Sequence, residues 1–239
     1  MENKDLKELE KRLEKEKNPE KAIILQRFFK TGPGEYGEGD IFLGIIVPVQ
    51  RKIVNEFKEL DIESIQKLMD SNIHEKRLIG LLILVEKYKK SNKEKNEIEK
   101  KFIYDFYLDN TKRINNWDLV DLTAPNILGN YLLAKPHDIL YKLVKSDNLW
   151  ERRIAVISTF AFIRQNDFND LLKICEILIS DKHDLIHKAV GWMLRETGKR
   201  DKKTLEEFLK FFYKKMPRTM LRYAIEKFPD AERKKWLKL

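Results

Sequence analysis

Apolar residues recur at three- and four-residue spacing through nearly every long segment of the chain. Ile79, Leu82 and Ile83 ahead of Glu86 and Lys87 are one example; Leu171, Leu172, Cys175, Leu178 and Ile179 are another. That period puts them on one face of an α-helix, and no alternating run rich in β-branched residues competes with it. The pattern predicts an all-α protein of about fourteen helices. Start signals agree: Asn18-Pro19, Val47-Pro48, Asp61, Thr123 before Pro125, and Lys135-Pro136 each place a cap or an early proline ahead of a helical run.

A weak internal period overlies the helical one. Segments Ile73 to Gly80, Leu149 to Ala155, Leu185 to Gly191 and Leu221 to Ala224 each open the second helix of a pair and carry a small residue shortly after a basic one. The pairs are Arg77 with Gly80, Arg152 and Arg153 with Ala155, Lys188 with Gly191, and Arg222 with Ala224. Steps of 75, 36 and 33 residues between the small positions suit a superhelical solenoid of antiparallel helix pairs, the small residue letting neighbouring helices approach closely. Stacked units would then align the basic residues as a stripe along one face. A single domain spanning residues 1–239 is expected.

Charge makes that stripe more interesting. Residues 182–239 hold 17 Lys/Arg against 8 Asp/Glu, whereas residues 1–181 hold 31 of each, so the whole net charge of +9 is C-terminal. A solvated surface accounts for scattered lysines; a shared face would suit a polyanion. The longest apolar run, Leu78 to Val85, is much shorter than the roughly 20 residues that a membrane span needs, and the first residues are charged. The expectation is a cytoplasmic protein without a membrane partner. Cys175, the single cysteine, has apolar neighbours and reads as an inert buried thiol.

Candidate chemistry is sparse. In WDLVD, Trp117 and Asp121 are four residues apart and share a helical face, where a carboxylate beside an indole would stabilise developing positive charge. The same residues could instead be a helix cap and a core aromatic. Arg152 and Arg153 follow Trp150 at a helix start, suited either to phosphate or to surface ion pairs. Trp192, in KAVGWMLRE beside Lys188, reads as core or as interface. His183 and His187 have i, i+4 spacing but no third ligand, and no hydrolase, deaminase or phosphate-loop motif occurs. Segment TGPGEYGEGD, Thr31 to Asp40, holds four of the nine glycines and is either a lid or a structural turn.

Several stretches together resemble one family: NPEKA at Asn18 to Ala22, FLGIIVP at Phe42 to Pro48, NNWDLVD at Asn115 to Asp121, DNLWERRIAVI at Asp147 to Ile157, and KAVGWMLRE at Lys188 to Glu196. They are similar, in order, to the AlkD-type DNA alkylation repair proteins, alkylpurine DNA glycosylases built from HEAT-like repeats. The resemblance implies a concave basic face gripping duplex DNA and hydrolysis of the N-glycosidic bond of cationic N3- or N7-alkylated purines without base flipping. It implies Asp121 as the catalytic carboxylate, Trp117 and Trp192 as aromatic walls beside the deoxyribose, and Arg153 on a backbone phosphate; Arg152 and Lys188, basic residues of the repeat, are expected to add DNA contacts. No metal or organic cofactor and no obligate protein partner are expected; the enzyme would act as a monofunctional monomer in base excision repair. Phe28 stands where the family often has tyrosine. The alternatives are a non-catalytic DNA-binding repeat protein recognising distorted duplexes, and a scaffold for an acidic protein.

Overall fold

A computed structural model describes residues 4–238. Helices dominate throughout, and the only pairing of extended backbone among the described residues is an isolated parallel bridge between Ile41 and Ile73. The all-α class read from the periodicity holds. The chain forms two compact units, residues 1–123 and 124–239.

The first unit contains α1 (Lys4–Glu16), α2 (Pro19–Phe28), α3 (Val47–Glu56), α4 (Ile62–Met69), α5 (His74–Lys93), α6 (Glu97–Asp109), a short 3₁₀ turn and α7 (Trp117–Thr123). Helix α5 is its axis. Its apolar residues Leu78 to Val85 are buried all round, and α3, α4, α6 and α7 pack on it. Asn18 caps α2 by accepting from the Lys21 amide, and Asp61 caps α4 from Ser64, as their positions before helical runs predict. Between α2 and α3 residues 42–46 of the FLGIIVP segment form an irregular connection, and Val47 and Pro48 open α3. The carboxylate of Glu75, fully buried, gathers the consecutive amides of Leu43, Gly44 and Ile45 at 2.9–3.2 Å. Gly44 has a positive φ, and a Cβ there would lie 2.0 Å from the Asn18 carbonyl oxygen, so only glycine permits this crossing.

The second unit opens with a π turn, Pro125–Gly129, and continues through α8 (Asn130–Leu132), α9 (Asp138–Leu143), α10 (Leu149–Ser158), α11 (Phe160–Ile163) and α12 (Asn169–Leu178). It closes with α13 (Asp184–Arg200), α14 (Lys202–Phe212), α15 (Arg218–Ala224) and α16 (Asp230–Lys238). Sixteen α-helical segments among the described residues therefore replace the expected fourteen. Pro125 has no amide hydrogen to continue α7, the Gly129 amide reaches back to Ala124 at 2.9 Å, and the helical run is interrupted there. Lys135-Pro136 lies just ahead of α9, which begins at Asp138, and the His137 ring bonds the Leu132 carbonyl at 2.8 Å. Gly191 lets α13 approach α15 closely; a Cβ there would stand 2.5 Å from that of Tyr223.

The internal period is visible as a repeated clasp at helix entries. Ser71, Ser146 and Asp181 each accept, through the side chain, the amide two residues later (Ile73, Asn148, His183) at 2.8–3.1 Å. Each also offers its carbonyl to a basic side chain six residues later: Arg77 at 2.7 Å, Arg152 at 2.9 Å and His187 at 2.5 Å. For Arg77 this corrects the expected basic stripe. Arg77 is buried and further tied to Asp40 at 2.6 Å, so its charge is spent inside the fold rather than displayed. Position seven of the third clasp is His187; Lys188 instead pairs with Asp184 one turn away.

Candidate functional site

Helix α7 is short and anchored at its start. Asn116, fully buried, accepts the Trp117 amide, and Asp118 accepts the Leu119 amide. Trp117 and Asp121 are half-buried and lie one turn apart. Beneath them Tyr107 shares a hydrogen bond with Thr123 at 3.1 Å; burial, with the nearby Asp121 charge adding to it, pushes the phenol upward against that bond. The two aspartates of WDLVD have different environments. Asp118 is 5% exposed and bonds His74 Nε2 at 2.9 Å, while Asp121 remains at the accessible edge of the helix.

His74 is the hub of a buried ionic cluster. Its Nδ1 donates to Asp40 at 3.0 Å and its Nε2 to Asp118, and Arg77 adds a second cation on Asp40. Burial disfavours the imidazolium, but the charge and hydrogen bond of Asp118 and then those of Asp40 outweigh it and raise its pKa to about 9. Burial likewise disfavours the Asp40 carboxylate, yet the His74 bond and Arg77 charge hold it below the ordinary range. Asp40 ends the glycine-rich segment, which is thus a structural turn. Gly37 packs against the Phe29 carbonyl, where a Cβ would come within 2.5 Å, and the chain then delivers Asp40 to His74. Above the cluster the rings of Phe42, Phe29 and Trp117 stack in succession, and Phe28, 61% exposed, meets Trp117 edge-on at 5.8 Å.

The other sequence-predicted residues belong to the second unit. Trp192, half-buried on α13, donates its indole N–H to Glu196 at 3.1 Å, and Glu196 is also held by Arg195 and Lys199. Its ring lies 6.0 Å from that of Phe160. Trp150 is buried. Arg153 is 4% exposed, with Nη1 donating to the Leu185 carbonyl at 2.5 Å, which ties α10 to the start of α13. Arg152 is half-buried and bonds Asp181 at 2.7 Å and the carbonyls of Ser146 and Asp147. Cys175 is fully buried, and burial pushes its thiol upward. Among the described residues no group of three His, Cys, Asp or Glu could hold a metal ion, and no helix is long and apolar enough to cross a membrane.

The chain is thus a basic all-α protein that carries Trp117 and Asp121 one turn apart on a short helix. Residues 9–228 match the family described as DNA alkylation repair enzyme, and the chain belongs to that family. A solved structure, that of a predicted DNA alkylation repair enzyme from Enterococcus faecalis, is similar at a TM-score of 0.68 and 18% identity, over 90% of this chain and 98% of that one. No curated protein matches the sequence. Asp40, His74, Phe29 and Phe42 were not readable as a site in the sequence. Their one signal is His74 itself, one of four histidines, at the entry of the helix that carries the longest apolar run.

Proposed function

We propose that the protein is a monofunctional DNA glycosylase that hydrolyses the N-glycosidic bond of cationic N3- or N7-alkylated purines in duplex DNA. The observation that carries this reading is the division of labour within WDLVD. Asp118 is buried against His74, while Asp121 is half-buried, one turn from a half-buried indole. Two carboxylates three residues apart are thereby given separate roles by environment.

The substrate supplies much of the driving force. A positively charged purine leaves with the C1′–N bonding pair and becomes neutral, so no acid is needed to protonate it. Positive charge then grows on the sugar. An ionised Asp121 stabilises that oxocarbenium-like centre and orients the water that attacks C1′, accepting the proton that the water gives up. The π face of Trp117 adds attraction for the cation. A thousandfold acceleration corresponds to about 4 kcal/mol of differential stabilisation, within reach of one carboxylate and an indole in a partly dry site. In this reading Trp192, Arg152 and Lys188 of the second unit add duplex contacts, whereas Arg153, 4% exposed and bonded to the Leu185 carbonyl, supports the fold instead of holding the phosphate expected of it.

The test is release of N7-methylguanine from methylated duplex. Asp121→Asn is expected to abolish release while leaving duplex affinity nearly intact. Unchanged release in that variant removes Asp121 from the mechanism. Salt-sensitive duplex binding by the wild type, with no base release from any alkylated substrate, would instead establish the non-catalytic DNA-binding alternative.

A further inference from the structure

We infer that His74 is a positioning residue of the proposed active site: clamped between Asp40 and Asp118, it seats both the ring stack under Trp117 and the first turn of α7, and so fixes where Trp117 and Asp121 face their substrate. The inference rests on the glycosidic reading above.

Two independent routes link this one side chain to Trp117. The first is aromatic. The Trp117 ring stacks on Phe29 at 5.0 Å and 15°, Phe29 on Phe42 at 5.0 Å and 19°, and Phe42 on the His74 imidazole at 4.5 Å and 21°. Phe29 also meets the imidazole directly at 5.0 Å, tilted by 37°, so the half-buried indole rests on a three-ring cluster that includes buried His74. The second route is ionic: Nε2 holds Asp118, the residue directly after Trp117 and three before Asp121. His74 and Asp118 are 1% and 5% exposed, so neither can touch DNA, and any influence on the reaction passes through geometry.

The charge arrangement makes the clamp depend on a proton. The groups facing His74 are Asp40 from the glycine-rich turn and Asp118 from α7, with Arg77 of α5 bound to Asp40. Glu75, next along α5, is occupied by the amides of residues 43–45. With His74 protonated, two cations balance Asp40 and Asp118. A neutral imidazole has one N–H, so one carboxylate would face a lone pair and let go. Asp40 keeps its Arg77 bond at 2.6 Å in either case, so what a bare Nε2 releases is Asp118 and with it the first turn of α7, on which Trp117 sits.

The experiment uses the full chain between about pH 7 and about pH 10. It follows kcat and KM for N7-methylguanine release, the Trp117 indole N–H resonance (assigned with Trp117→Phe) and the ring ¹⁵N signals of His74. We expect kcat to fall on the order of tenfold or more as His74 deprotonates, with KM little changed, since a displacement of about 1 Å at a site can cost up to roughly a hundredfold. The Trp117 resonance is expected to titrate at the midpoint that His74 reports. His74→Gln should lose that step and show, at about pH 7, the kcat of the wild type at high pH. Base release abolished by Asp121→Asn but insensitive to His74 protonation, with a static Trp117 resonance, overturns the positioning role. Should the wild type release no base, the glycosidic reading fails alone; co-titration of Trp117 with His74 would still uphold the clamp, and its absence would end it. The wild-type titration decides the matter even if His74→Gln does not fold.

Discussion

The His74 cluster predicts a particular dependence of stability on pH. The perturbation is titration from about pH 6 to about pH 10. In the unfolded chain the imidazole titrates near 6.5, whereas in the fold its pKa is about 9, and each unit of difference is worth about 1.4 kcal/mol. Protonated His74 therefore contributes roughly 3 kcal/mol, and its near-complete burial spares the group from solvent screening. Because the folded pKa is the higher one, this contribution is complete below about 6.5 and disappears as the pH rises through about 9. Asp40 acts in the opposite sense: its depressed pKa gives stability that is present above the ordinary carboxylate range and lost on acidification. Urea unfolding of the wild type and His74→Gln at several pH values isolates the histidine. The deficit of the variant should be larger at pH 6 than at pH 10 by about 3 kcal/mol, and amide exchange should place the loss in the segments around Asp40, His74 and Trp117. Parallel curves for the two proteins across that range would refute the reasoning.

Gly44→Ala should destabilise the first unit by more than about 3 kcal/mol, because both its positive φ and the 2.0 Å approach to the Asn18 carbonyl oxygen forbid a Cβ; a lowered urea midpoint tests this. Arg153→Ala is expected to cost about 2–3 kcal/mol, since it removes a charged donor from a buried carbonyl of Leu185. Lys188→Ala, at a more open i, i+4 pair with Asp184, should stay within about 0.5 kcal/mol by the same assay and show its effect in duplex binding at low salt instead.

Local signals were legible in the sequence and distant ones were not. Asn18 and Asp61 declared their helices because a cap and the amides it satisfies lie within three residues. Trp117 and Asp121 declared a shared face because four residues make one turn. The basic residues misled for a physical reason: the partners of Arg77 and Arg152 include backbone carbonyls, and a carbonyl has no letter in the sequence. The His74 clamp was hidden by separation, 34 residues to Asp40 and 44 to Asp118, and by the appearance of the glycine-rich segment as either lid or turn. At Pro125, read as the start of a helical run, the residues form a π turn instead of an α-helical first turn.

The clasps at Ser71, Ser146 and Asp181 count residues. Each bonds positions one to three and one to seven, so inserting or deleting a residue between Ser146 and Asn148 breaks both bonds at once, and a change within α10 before Arg152 breaks the longer one and turns every following side chain of the helix by about 100°. Duplicating a whole unit, clasp included, leaves each count intact. Such a chain can lengthen or shorten by whole units far more readily than by single residues, and the entry clasp acts as punctuation that keeps each new unit in frame.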